Sequence, residues 1–221
     1  MKGKIVNATG IKYFLFDVDG LLVDSERIFN ICWQEGARSV GYNLAFEQAL
    51  QLRSCDSKLA QSLFVEWFHD EEAYIKVRAA RKALMANVKK YGTPPLKPGI
   101  NEVLAKLDAK GIHYAIVSSS PVARCRKYLE DVGISNKFKT IISAEMVERG
   151  KPYPEIYAFA CEQLGIVPSE CVSVEDSPNG LKSAHGAGCV TIMIPDLSPY
   201  SEELREYVDY CYKTLAEIQI D

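Results

Sequence analysis

Asp17-Val18-Asp19-Gly20 places two carboxylates one residue apart, followed by a glycine that lets the backbone turn away. Three later segments also carry reactive groups at points where the chain changes direction. Ser118-Ser119-Ser120-Pro121 offers hydroxyls and N–H groups at a helix start, and Lys151-Pro152-Tyr153-Pro154 sets a cation ahead of a proline-opened helix. Val174-Glu175-Asp176-Ser177 brings adjacent acids. Each has an ordinary reading alone: a turn cluster, a helix N-cap, an exposed lysine, and acids favoured by a helix N-terminus. An EF-hand is excluded, because the glycine belongs at loop position six and Leu22 stands there. Together the groups could handle a phosphate. An ionised carboxylate attacks phosphorus without a base, while seryl N–H groups and a lysine hold phosphoryl oxygens. A carboxylate and a phosphate dianion roughly 4 Å apart repel by about 8 kcal/mol at an effective dielectric near 20, so a hard cation is needed as well.

Such groups must be held by elements whose ends converge. Short apolar runs at residues 13–16, 114–117, 140–142, 171–174 and 189–194 lack strict alternation, as parallel strands buried on both faces do. Helical patterns lie between them: Ile100, Val103, Leu104 and Leu107, then Val122, Cys125, Leu129 and Val132 after Pro121. Gly111 and Gly133 stand where C-terminal caps belong. The alternation predicts an α/β fold with a doubly wound parallel sheet. Residues 24–97 break it, with Leu59, Leu63 and Trp67, and Ala60, Phe64 and Phe68, at helical spacing and no convincing strand. The proline- and glycine-rich segment 92–99 cannot continue a helix and marks a boundary.

In this order, DxDG, then Ser, then Lys before a helix, then Glu-Asp strongly resemble the four motifs of the haloacid dehalogenase superfamily, over nearly the whole chain. Phe16-Asp17-Val18-Asp19-Gly20-Leu21-Leu22-Val23-Asp24-Ser25-Glu26 and Val174-Glu175-Asp176-Ser177-Pro178-Asn179-Gly180 carry the resemblance most fully. It implies a Rossmann-like core of residues 1–22 and 97–221 with an all-helical cap at 23–96, as in the branch of β-phosphoglucomutase and small-molecule phosphatases. Asp17 would then be the nucleophile that forms an aspartyl-phosphate. Asp19 would protonate the leaving oxygen and activate water. Mg²⁺ would be held by Asp17, the Asp19 carbonyl, Asp176 and Glu175, with Ser118, Ser119 and Lys151 on the phosphate. Asn179 and Gly180 would position the acids. The superfamily's dehalogenases lack an acid at the second aspartate, so phosphoryl transfer is expected. β-Phosphoglucomutases carry a histidine on the helix after the first motif; here Phe29 stands near that position and residues 24–30 hold none, which favours hydrolysis over mutase chemistry. A catalytically silent binding protein is the alternative from another class.

Charge and cysteine content narrow the setting. The net charge of −3 removes the basic excess that drives nucleic-acid binding. Residues 24–97 carry about +2 and the rest −5, so the helical part holds the attraction for an anionic metabolite. Lys76, Arg78, Arg81, Lys82, Lys89 and Lys90 share one expected helix, mainly as a solvated face. Lys82, with Arg53 near a helix turn, is the candidate to reach a substrate. His69, His113 and His185 are scattered and read as structural or exposed. The first apolar run is too short for a leader or a membrane span. Seven cysteines, odd in number and without CxxC, fit a reducing cytoplasm with no structural zinc. The expected protein is a cytoplasmic, monomeric phosphatase for a small phosphomonoester, a sugar phosphate among the candidates.

Overall fold

The computed structural model of the protein describes residues 5–53, 55–86 and 94–221. Six strands form one parallel sheet: β1 (Tyr13–Phe16), β2 (His113–Ser118), β3 (Ile141–Ser143), β4 (Cys171–Glu175), β5 (Val190–Met193) and β6 (Tyr210–Cys211). Their order in space is β3-β2-β1-β4-β5-β6. All five expected runs match strands to within one residue at either end. β6 is an addition, only two half-buried residues long and so without a periodic signal; it pairs Tyr210 with Ile192 and Cys211 with Met193.

Helices α1 (Glu26–Ser39), α2 (Phe46–Gln51), α3 (Ser57–Phe68) and α4 (Ala73–Met85) follow the first strand, and α5 (Ile100–Lys110), α6 (Val122–Asp131), α7 (Glu155–Leu164) and α8 (Pro178–Ala187) alternate with the others. Helices pack on both faces of the sheet, which explains why its strands read as continuous apolar runs. Phe14 and Phe16 pack on one side with Ile100, Leu104 and Leu107 of α5 and Leu129 of α6. Leu15 packs on the other with Ile156 and Ala160 of α7 and Ala184 of α8.

Helices α1 to α4 bury an apolar cluster of their own. Phe64 of α3 is fully enclosed by Trp33 of α1, Tyr74 and Val77 of α4, and Ala60. The stripe Ala60, Phe64 and Phe68 joins this cluster, and so do Leu63 and Trp67 of the other, while Leu59 lies outside it. Two chain crossings join these helices to the sheet, and they lie side by side. The Asp24 N–H donates to the Pro95 carbonyl at 2.9 Å and the Lys97 N–H to the Leu22 carbonyl at 2.8 Å. A short antiparallel bridge between Val23 and Leu96 thus appears where the sequence shows no strand. Lys89, Lys90 and the first two residues of the boundary segment 92–99 lie outside the described residues. Among the described residues, no helix is long and apolar enough to cross a membrane.

Candidate active site

The chain leaves β1 towards β2 and β3, then returns on the other side to β4, so the sheet order reverses between β1 and β4. A crevice opens at the carboxyl ends of strands where the order reverses. Asp17 follows β1 directly and Asp176 follows β4, which puts the first and fourth motifs on this crevice. Ser118 ends β2, its Oγ accepting from the Ser120 N–H at 3.0 Å, and Ser119 also lines the opening.

Lys151 is fully buried and reaches both acidic strand ends. Its Nζ donates to Asp17 Oδ1 at 2.7 Å, to Glu175 Oε1 at 2.6 Å and to the Val117 carbonyl at 2.9 Å. Burial works against the ammonium, but Asp17 and Glu175 outweigh it and hold its pKa above the ordinary value. Burial also pushes the Asp17 carboxyl up to about 7, against the pull of Lys151, with Glu175 and Asp19 adding to the rise. Asp19 accepts from two hydroxyls, Ser25 at 2.6 Å and Ser120 at 2.5 Å. It is thereby tied both to the entry of α1 and to the loop after β2.

Two glycines make space for the acids. Gly20 has φ +85°, and a Cβ there would overlap the Asp176 carboxylate. A Cβ on Gly180 would overlap the carboxylate of Glu175. Asn179, next to Gly180, donates from Nδ2 to the Arg53 carbonyl at 2.9 Å, so it fastens the α2–α3 turn to the sheet. That turn docks a second time, the Asp56 N–H donating to the Lys151 carbonyl at 3.1 Å.

The floor is short of positive charge. Asp17, Asp19, Glu26, Glu175 and Asp176 are all buried there, against Lys151 and Arg53. Among the described residues, Asp17 Oδ2, Glu175 Oε2 and Asp176 Oδ1 are buried without a hydrogen-bond partner. One oxygen from each of these three residues lies within 4.8 Å of the others. Buried, unpaired carboxylate oxygens in negative excess fit a small divalent cation with oxygen ligands.

Arg53 is buried as well, but it turns to the acids before it turns to the opening. Its Nη2 pairs with Asp176, its Nε lies 3.4 Å from Glu26 and its Nη1 donates to Ser198 at 3.0 Å. Glu26 was not singled out in the sequence, although it stands in the first motif phrase. Burial pushes its carboxyl up to about 8, against Arg53. Tyr157 is a second unforeseen participant, donating its hydroxyl to Glu175 from α7. Its signal was hidden because an aromatic on a helix reads as core.

The roof comes from α1 and α4. Phe29, Trp33 and Tyr74 line it together with Arg78, Arg81 and Lys82. Lys82 does reach this opening, but from an exposed position, whereas Arg81 is half-buried with its guanidinium 4.4 Å over the Trp33 ring and 5.2 Å over Phe29. Burial and the neighbouring Arg124 guanidinium pull Arg81 down to about 10, so it stays charged at neutral pH. Arg124 of α6 stacks on Phe29 from 5.6 Å. The inward basic residues are thus Arg81 and Arg124 more than Lys82.

A family profile described as haloacid dehalogenase-like hydrolase matches residues 14–194. Hexitol phosphatase A of Escherichia coli (strain K12) is 35% identical over 211 residues, covering 95% of this chain and 94% of the relative. A probable pseudouridine-5'-phosphatase of Drosophila melanogaster is 27% identical, covering 95% and 92%. In structure, a β-phosphoglucomutase from Clostridium difficile superposes with a TM-score of 0.79 at 20% identity, over 95% of this chain and 93% of that one. The motif order, the strand ends that carry it and these similarities agree: the chain belongs to the haloacid dehalogenase-like hydrolases and is an enzyme of their phosphatase kind.

Proposed function

We propose that this enzyme is a Mg²⁺-dependent phosphatase of small phosphorylated carbohydrates or polyols that works through an aspartyl-phosphate on Asp17. The observation that carries the reading is the convergence of Asp17, Lys151, Glu175 and Asp176 beneath one opening, with one oxygen of each acid unengaged. Asp17, Asp176 and the Asp19 carbonyl, with Glu175 behind them, would hold Mg²⁺. When bound, the cation offsets the repulsion between carboxylate and phosphate and supports charge on the phosphoryl oxygens.

Asp17 attacks phosphorus, and the bond to the ester oxygen breaks as Asp19 gives that oxygen a proton. Asp19 then takes a proton from the water that attacks the aspartyl-phosphate, which restores both residues and releases inorganic phosphate. Lys151 keeps Asp17 aligned and, with Ser118 and the Ser119 N–H, holds phosphoryl oxygens. Residues 23–96 act as the cap over a core of residues 1–22 and 97–221, with the paired crossings near Val23 and Leu96 as their joint. Phe29 adds an apolar wall with no proton to exchange, in keeping with release of phosphate to water instead of return to a second hydroxyl.

The test is phosphate release from a panel of hexitol, hexose and nucleoside monophosphates, with Mg²⁺ or with chelator, for the wild type and Asp17→Ala. Release that needs both Mg²⁺ and Asp17 is expected. Release unaffected by Asp17→Ala overturns the mechanism, and interconversion of glucose phosphates without release makes the enzyme a mutase.

A further inference from the structure

At the opposite end of the sheet from the carboxylates, three of the seven cysteines meet. Cys161 lies on α7, Cys171 opens β4 and Cys189 directly precedes β5. Cys171 and Cys189 are brought abreast by the parallel register that pairs Val172 with Val190. Cys171 Sγ is 3.4 Å from Cys161 Sγ and 3.4 Å from Cys189 Sγ, and the three sulfurs all lie within 4.8 Å of one another. They are 2%, 0% and 5% exposed, and all three are free thiols. Cys171 Sγ also stands 3.0 Å from the Pro168 carbonyl, an oxygen donor at the same spot. Asp176 lies five residue steps along the extended chain from Cys171, about 16 Å, so the two clusters are independent.

The geometry points to a binding site for a thiophilic closed-shell metal ion, Zn²⁺ or Cu⁺, ligated by Cys161, Cys171 and Cys189. Four ligands around zinc at about 2.3 Å set sulfurs about 3.8 Å apart, a few tenths of an ångström from the observed contacts. Thiolates select such ions over Mg²⁺, and a three-sulfur set suits Cu⁺ as well. The surroundings are apolar, with Leu15, Ala160 and Ala184 in the same cluster and Leu164 and Ile166 at its margin. Each thiol that ligates gives its proton to solvent and its electron pair to the metal, so no oxidant is involved. The spacing of 10 and 18 residues between the ligands follows no zinc-finger pattern, and the site exists only because a helix and two strands bring them together.

The ion would act as a staple. It would join α7 to β4 and β5, and the first two both bear on Glu175: Tyr157, one turn before Cys161 on α7, donates to it, and β4 terminates in it. The full-length enzyme, stripped by chelator under reductant and returned to excess Mg²⁺, is titrated with Zn²⁺ and, anaerobically, with Cu⁺. One equivalent of either ion retained through gel filtration, with a Tm higher by about 5–10 °C, is expected. Co²⁺ should give the intense sulfur-to-metal charge-transfer band that carboxylate ligands cannot produce, and bound metal should protect three thiols from alkylation. Cys189→Ala, the least buried of the three, should lose the band and the retained ion. Retention of one ion and not the other identifies the native metal. The inference is overturned by the absence of a charge-transfer band in the wild type, by unchanged retention in Cys189→Ala, or by a disulfide among the three in enzyme isolated without reductant.

Discussion

The floor and the roof of the crevice are built on different principles. The floor is a set of buried charged groups fixed by short polar contacts: Lys151 by Asp17, Glu175 and the Val117 carbonyl, and Asp19 by Ser25 and Ser120. The roof is aromatic and cationic, with Arg81 and Arg124 laid on Phe29 and Trp33. Backbone and burial over-determine the floor, whereas the roof depends on which way long side chains lean. On the proposed reading the floor carries the reaction and the roof selects the substrate. The α2–α3 turn is where the two meet, since Arg53 comes from the helical side and closes on Asp176.

That contrast can be broken first at Asp19. Asp19→Ala should lower kcat by about 10³-fold, within the range for general acid–base catalysis, while leaving phosphate binding measurable by titration. Full turnover in the variant would mean that the floor's second acid has no chemical role. Gly180→Ala comes next, because the added methyl overlaps the Glu175 carboxylate. Displacing that acid, and Lys151 with it, should cost about 10²-fold in kcat/KM and about 1–3 kcal/mol in stability, read from denaturant unfolding. Normal kinetics in Gly180→Ala would show that the floor tolerates a shift and is less constrained than its contacts imply.

The smallest effect belongs to the roof. Arg81→Ala removes a cation from the opening without touching Asp17, so KM should rise about tenfold with kcat nearly unchanged, the pattern of lost uniform binding. Across a substrate panel the rise should be largest for esters with a second anionic or polar end. A fall in kcat equal to the fall in kcat/KM would place Arg81 with the chemistry and erase the distinction between roof and floor.

Much of the floor is legible in the sequence alone. Asp17, Asp19, Ser118, Lys151, Glu175 and Asp176 sit at strand ends or helix starts, where a short apolar run and a following turn locate a residue to within one position. Asn179 and Gly180 were also marked, and the structure supplies the reason: one fastens the α2–α3 turn, and the other leaves room for Glu175. Arg81 was hidden among the basic residues of α4. One position separates Arg81 from Lys82, which is about 100° around a helix, and charge counting cannot say which of them faces inward. Glu26 and Tyr157 were hidden for a related reason, since a helix acid reads as solvated and a helix aromatic as core.

Local periodicity and turns a few residues long encode the alternation of strands and helices, the interruption by residues 24–97 and the order of the reactive groups along the chain. Which groups touch depends on how distant segments pack. Lys151 meets Asp17 across 134 positions and Arg53 meets Asp176 across 123. Cys161, Cys171 and Cys189 show no ligand spacing along the chain, and it is the register of β4 and β5 with the packing of α7 that sets them together. Contacts of this kind arise from sheet order and helix packing, and no pattern confined to one stretch of chain encodes them.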